Sequence, residues 1–355
     1  MGKRILAVAR DENPKRGFEA LAAVSGGSLQ LMVGKSFTEE AIKAAVEEAD
    51  VVLVGMSSSK TLSEIELFAA NAAIALQKPL CCYGDIAGAF NREWFAQVAP
   101  YAAVYFGASP NDASNAKKVF SNATCYGFGN PLDETMTFSR FTREEIRKRF
   151  LVASNEIMVL APGTKTIVEN CFMWANLIDI LERLHVRGFA MKLILAPHPK
   201  DRSVTAKDGE GKELTIYEEF VTRSPFPVSI LGSEAGFSSS DVLPGADLVV
   251  AFGGSIGRET GFKRIPVLSI GTEIAFRRMK QESGDRIPEA VSLGLARLIS
   301  DENSIRAAQI VGELLDKDGS VAGRQMKRKQ EEFCVPPPYR GYAIEQMWQV
   351  LTDLL

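Results

Sequence analysis

Only two histidines occur in the 355 residues, His185 and His198, so each can be weighed singly. Cysteine is also scarce. Cys81, Cys82, Cys125, Cys171 and Cys334 are scattered, with no Cys-x-x-Cys pair. An odd, unpatterned set points to a reducing compartment and buried thiols, and against a disulfide frame or a zinc site. No window approaches the ~18 consecutive apolar residues of a spanning helix. The opening MGKRILAVAR reaches a charge at Arg10 too soon for a signal peptide and reads as a first strand. Neither sign of charge dominates. The formal net charge is −3, and the basic run Lys327–Arg328–Lys329 reads as a solvated helix face, which argues against a general nucleic-acid binder. A cytoplasmic protein is expected, with peripheral attachment to a membrane left open.

Hydrophobic content of 46% and charged content of 24% suit a soluble globular chain with a sizeable core, and the length suggests two domains. Short apolar runs alternate with helical patterns along the sequence. In the first half, strands are expected near 4–8, 28–33, 50–54, 79–83, 103–106 and 123–127, with helices at 17–24, 38–49 and 61–76. In the second, strands are expected near 157–160, 191–195, 228–231, 248–252 and 265–270. A long helix at 168–185 and helices at 288–299, 304–315, 323–333 and 342–355 complete it. This alternation predicts an α/β fold with parallel sheets. The charged stretch 140–149, in which Thr142 and Glu145 fit a capping box, is the candidate linker. The polar 202–214 segment reads as an exposed insertion. The expected division is a first domain over 1–140, a linker over 141–154, a second domain over 155–335 and a terminal helix over 336–355.

In such sheets ligands gather beyond the carboxyl ends of the strands, so polar residues there carry the functional signal. In the first half these include Arg10, Ser57, Ser58 and Asp85. Asp85 follows an apolar strand and lies between Gly84 and Gly88. It reads either as a general base or as the cap of the next helix. In the second half, Gly163, Thr164 and Lys165 form a small, polar, cationic turn, without the spacing of a Walker A loop. His198, fixed between Pro197 and Pro199, can donate to a phosphate. Residues 245–271 place Gly253, Gly254 and Ser255 between an apolar strand and a short helix. A turn of that kind directs backbone N–H groups and the positive end of a helix dipole at an anion. Glu259, one turn into the helix, can accept hydrogen bonds from sugar hydroxyls. A glycine-turned connection with no ligand is the competing reading.

Taken in order, these loops resemble the GT-B superfamily, and most nearly its lipid A disaccharide synthase-like glycosyltransferases and non-hydrolysing UDP-N-acetylglucosamine 2-epimerases. Leu160 to Lys165, LAPGTK, is similar to the family's LPGSR turn. Gly129–Asn130–Pro131–Leu132 is similar to the Gly-Asn-Pro segment that ends the first domain. Gly254 to Glu259 resembles the donor-binding loop, with Pro266 seven residues after the glutamate. The break at Pro336–Pro337–Pro338 and the last helix resemble the helix that crosses back to the first domain. The resemblance implies two Rossmann-like domains facing each other across a cleft. It also implies a nucleotide-diphosphate sugar, UDP-linked, held as substrate by the second domain. Glu259 would lie on the ribose, and Gly163, Thr164, Lys165, His198, Gly253, Gly254 and Ser255 would surround the diphosphate. The first domain would take an acceptor, be it glycan, lipid or protein, near Arg10, Ser57 and Ser58. Asp85 and His198 are the catalytic candidates.

There are departures. Where the epimerases carry an Asp after the third strand and a Glu after the fourth, this chain reads Gly55–Met56–Ser57–Ser58 and Tyr83–Gly84–Asp85. Epimerisation needs acid and base groups at the sugar, so transfer is favoured over epimerisation. A non-catalytic nucleotide-sugar-binding protein is the alternative from another class. No Asp-x-Asp metal motif is expected in the chain, and no metal ion or other cofactor is expected.

Overall fold

The computed structural model describes residues 4–34, 37–164, 166–198, 206–207, 213–214, 217–231, 236–253, 256–283, 286–300 and 302–355. It divides into two compact units. One is Met1–Phe138 with Val335–Leu355, and the other is Ser139–Cys334.

In the first unit, β1 (Ile5–Ala9) and β3 (Val51–Gly55) are apolar and buried at every position. Continuous burial of that kind requires cover on both faces, which is the condition of a central parallel strand. The other strands are β2 (Leu29–Val33), β4 (Leu80–Tyr83), β5 (Val104–Phe106) and β6 (Thr124–Tyr126). All pair in parallel, in the order β2-β1-β3-β4-β5-β6. Leu6, Val8, Val52 and Val54 face one layer of helices. Ile5, Ala7, Val51 and Leu53 face another, which includes Phe18, Leu21, Met347 and Leu351. The helix Tyr342–Asp353 therefore completes the core of the first unit. Its N-terminal cap, Gly341, offers no side chain. Glu134, on the helix Pro131–Thr137, supplies the cap instead, accepting from the N–H groups of Gly341 at 2.5 Å and Ala343 at 3.1 Å.

The second unit contains β7 (Ile157–Pro162), β8 (Met191–Ala196), the short antiparallel pair β9 (Ala206–Lys207) and β10 (Glu213–Leu214), β11 (Val228–Ile230), β12 (Leu248–Val250), β13 (Val267–Ile270) and β14 (Arg297–Ile299). The six-stranded parallel sheet runs β11-β8-β7-β12-β13-β14. Helix Ile167–Val186 packs Met173, Trp174, Leu177 and Leu181 against one face, and Val242, Leu243 and Ile256 cover the other.

Two expectations change. Residues 288–299 are not one helix. Helix ends after Glu289–Ser292, Gly294 turns the chain at φ +74°, and Arg297–Ile299 becomes the edge strand β14. The stretch 141–154 carries helix Arg143–Arg149, which is part of the second unit. Arg143 and Arg147 both pair with Asp247, at 2.6 and 2.9 Å, and Arg147 also donates to the carbonyls of Ala153 and Glu156. Arg147 is buried beneath the helix and ties it to the second unit, while the helix's other charged residues face solvent. Most of the 202–214 insertion lies outside the described residues.

Candidate functional site

Strand order locates the ligand edge of each unit. A switch point arises where the connections from two neighbouring strands leave in opposite directions, opening a crevice at their carboxyl ends. Numbered within its own sheet, the second unit has the order 3-2-1-4-5-6, with the switch between β7 and β12. The loop after β7 holds Gly163 and Thr164, and the loop after β12 holds Gly253. The loop after β8, with His198, is one strand further out. Neighbouring strands lie about 4.8 Å apart, so these three loops share one edge about 10 Å wide. Lys165, Gly254 and Ser255 fall outside the described residues.

The loop after β7 is pinned from below by Asn170, which is fully buried. Asn170 accepts from the N–H of Thr164 at 2.6 Å and donates to the Thr164 carbonyl at 3.1 Å and the Tyr217 hydroxyl at 3.2 Å. A Cβ on Gly163 would meet the Asn170 amide at 3.0 Å, so any larger residue would have to push that amide aside. The Thr164 hydroxyl donates to the Thr166 carbonyl at 3.3 Å. In the first turn of the following helix, Glu169 is buried, and the Nε of Arg278 donates to both of its oxygens at 2.8 and 3.0 Å. Arg278 belongs to helix Glu273–Ser283.

Gly253 adopts φ +79°, a left-handed conformation that disfavours any residue with a Cβ. Such a Cβ would also stand 2.7 Å from the Met279 methyl. The turn feeds helix Ile256–Lys263, whose buried side includes Ile256, Glu259, Thr260 and Phe262. Glu259 is 5% exposed, and its Oε2 accepts from the Ser240 hydroxyl at 2.8 Å. Burial pushes the Glu259 carboxyl above its ordinary range, against the pull of the Ser240 hydroxyl and of Lys263. Burial likewise lowers Lys263, and Glu259 opposes that shift. Each group thus acts to keep the other charged in a partly dry site.

Arg10, Ser57, Ser58 and Asp85 belong to the first unit, at the carboxyl ends of β1, β3 and β4. Its own switch point lies between β1 and β3. There the chain closes on itself around Glu66, a residue not anticipated from sequence. Glu66 is 0% exposed and accepts from the N–H of Arg10 at 3.1 Å, the N–H of Ser57 at 3.0 Å and the hydroxyl of Ser57 at 2.6 Å. Burial drives its carboxyl up to about 8, although all three donors oppose the shift. Ser58 donates its hydroxyl to Asp11 at 2.6 Å, and the Arg10 guanidinium donates to the Thr61 carbonyl. A signal for Glu66 did exist in the sequence. It shares the helical face of Ala69, Ala70 and Ala73, where a glutamate is out of place.

Asp85 is 3% exposed and ion-paired to Arg92 at 3.1 Å. Its backbone carbonyl accepts from Asn130, which caps helix Pro131–Thr137. Asp85 is therefore held at the strand end by an arginine, and reaching a substrate requires that pair to open. Contrary to expectation, an Asp-x-Asp triplet occurs at Asp316–Lys317–Asp318. Asp318 pairs with Lys327 at 2.8 Å, and the triplet lies between the helices Ser304–Leu315 and Val321–Phe333. Among the described residues, no helix is long and apolar enough to cross a membrane.

No protein-family model and no curated protein matches this chain. Solved structures do. A UDP-GlcNAc 2-epimerase from Neisseria meningitidis, determined with UDP-GlcNAc, superposes with a TM-score of 0.55 at 13% identity over 99% of this chain and 100% of that one. HepE from Anabaena, determined with UDP, gives 0.52 at 12% identity over 99% and 100%. A glycosyltransferase from Rickettsia africae gives 0.52 at 11% identity over 100% and 99%. At these identities the likeness is one of fold. It spans both parallel six-stranded sheets, and the chain has two Rossmann-like domains of the GT-B fold.

Proposed function

We propose that this protein is a glycosyltransferase that takes its sugar from a nucleotide-diphosphate donor, UDP-linked, held by the second unit. The observation that carries this reading is Glu259. A buried, hydrogen-bonded carboxylate lies one turn into the helix that follows the left-handed Gly253 turn, beside the switch point. That is where a ribose would lie if its diphosphate sat on the amides of the turn. Two of the similar structures were determined with UDP or UDP-GlcNAc, which supports the choice of nucleotide.

In this reading the acceptor oxygen attacks the anomeric carbon, and the bond from that carbon to the diphosphate breaks. Charge then grows on the leaving phosphate. The N–H groups around Gly254 and Ser255, the dipole of helix Ile256–Lys263, Lys165 and His198 would stabilise it. Gly163 and Thr164, fixed by Asn170, would bound the same crevice. Asp85 remains the candidate base, and it would have to exchange Arg92 for the acceptor hydroxyl.

A 2-epimerase is the second reading, favoured by the epimerase among the similar structures. A nucleotide-sugar-binding protein without turnover is the third. Calorimetry with UDP, UDP-glucose and UDP-N-acetylglucosamine is the first test. Glu259→Ala should weaken UDP binding at least about tenfold, the loss of a hydrogen bond to a charged group. No binding of any of the three at about 1 mM would refute the nucleotide reading. Incubation with UDP-N-acetylglucosamine alone, followed by sugar analysis, separates the enzymes: a 2-epimer forming without acceptor would establish epimerisation.

A further inference from the structure

Ser240 lies in the short helix Ser239–Val242, inside the cap that Ser238 and Asp241 form. We propose that Ser240 is a positioning residue: its hydroxyl holds Oε2 of Glu259, so that Oε1 is the oxygen presented to the ribose of a bound nucleotide sugar. This rests on the reading of Glu259 given above.

Among the described residues, Ser240 is the hydrogen-bond partner of the Glu259 side chain, at 2.8 Å. A carboxylate with one oxygen fixed cannot spin about its last torsion, and its second oxygen is aimed before the ligand arrives. That is the condition for a side chain to select a hydroxyl at little cost in entropy. Ser240 is itself braced. Ser238 and Asp241 form a reciprocal cap around it, with the Ser238 hydroxyl donating to Asp241 at 2.8 Å, and Arg140 pairs with Asp241 at 3.6 Å. The chain thus spends a capped turn on aiming one hydroxyl at one carboxylate, 19 residues away in sequence.

The bond also bears on protonation. Burial raises Glu259, Ser240 and Lys263 pull it back, and the neighbouring Asp241 raises it. An ionised Glu259 accepts from sugar hydroxyls, so binding should be present above its titration and lost as the pH falls through it. Removing the Ser240 hydroxyl raises that titration further, so the acid limb of binding should move to higher pH.

The experiment measures UDP-glucose affinity from pH 5 to pH 8.5 in the full chain. UDP-glucose is preferred to UDP because a terminal phosphate titrates at about 6 and would mask the limb. Ser240→Ala should weaken binding about tenfold at pH 8.5, where Glu259 is ionised but no longer aimed, and should also move the acid limb to higher pH. Ser240→Thr, which keeps the hydroxyl, should restore the parent profile. Glu259→Gln should bind more weakly and lack the limb. If Ser240→Ala binds like the parent at pH 8.5, or leaves the limb in place while Glu259→Gln removes it, the positioning role is overturned and the ribose assignment stands. If Glu259→Gln binds like the parent with the limb intact, the ribose assignment fails, and the positioning role with it.

Discussion

Glu66 should make the stability of the first unit fall as the pH rises through neutrality. Its carboxyl moves from 4.5 to about 8 in the folded protein, driven by burial. Between those values the folded chain keeps a proton that the unfolded chain has released. Folding is therefore favoured most below about pH 4.5, and the advantage drains away up to about pH 8. Each tenfold step in proton concentration is worth about 1.36 kcal/mol, so the full swing approaches 5 kcal/mol. Glu66→Gln removes the titration but also an acceptor: with the amide oxygen kept on the side of Arg10 and the Ser57 hydroxyl, the amide nitrogen faces the N–H of Ser57 and cannot accept from it. The variant should be about 1–2 kcal/mol less stable than the parent at pH 5 and more stable than the parent at pH 9. Urea unfolding of both proteins at pH 5, 7 and 9, followed by a first-unit probe such as Trp94 fluorescence, reads the crossing. A parent–variant difference that stays constant across the series would refute the argument, because it would mean that Glu66 is ionised throughout.

Glu134→Ala removes the remote cap of helix Tyr342–Asp353 and leaves two N–H donors without their carboxylate. A loss of about 2–4 kcal/mol in the first unit is expected, with faster amide exchange concentrated in 341–353. Gly253→Ala places a Cβ at a left-handed position and against Met279. It should cost about 1–3 kcal/mol and weaken UDP binding; an unchanged melting temperature with unchanged affinity would mean that the turn is neither tight nor used.

Much of the architecture was legible because parallel strands leave a plain mark. Runs such as Val51–Gly55 and Leu248–Val250 are apolar on both faces and end in glycine, serine or aspartate within a few residues. The edge strand β14 left no such mark. Its three residues run from exposed to buried, and the apolar residues before it fit a helix until Gly294 turns the chain. Helix Arg143–Arg149 read as a spacer because charge suggests solvent; only the fold brings Asp247 beneath it, 100 residues on from Arg147. The turn at the switch point was visible in the glycines around 253. Ser240 and Asn170 were not, since a side chain chosen to meet one partner across the fold carries no period. Glu66 lay between these cases, a glutamate in an alanine register whose meaning depends on the two strand ends above it.

The return of residues 335–355 to the first unit has a consequence for biosynthesis. Ile5, Leu53, Val104 and Phe106 form an apolar face that Met347 and Leu351 cover. That cover is translated only after all of Ser139–Cys334 has been made. The amino-terminal sheet must therefore wait, with greasy surface bare, while the ribosome finishes an entire second sheet. Nascent chains stalled anywhere before residue 347 should engage chaperones through that face, and release from them should coincide with the arrival of the closing helix.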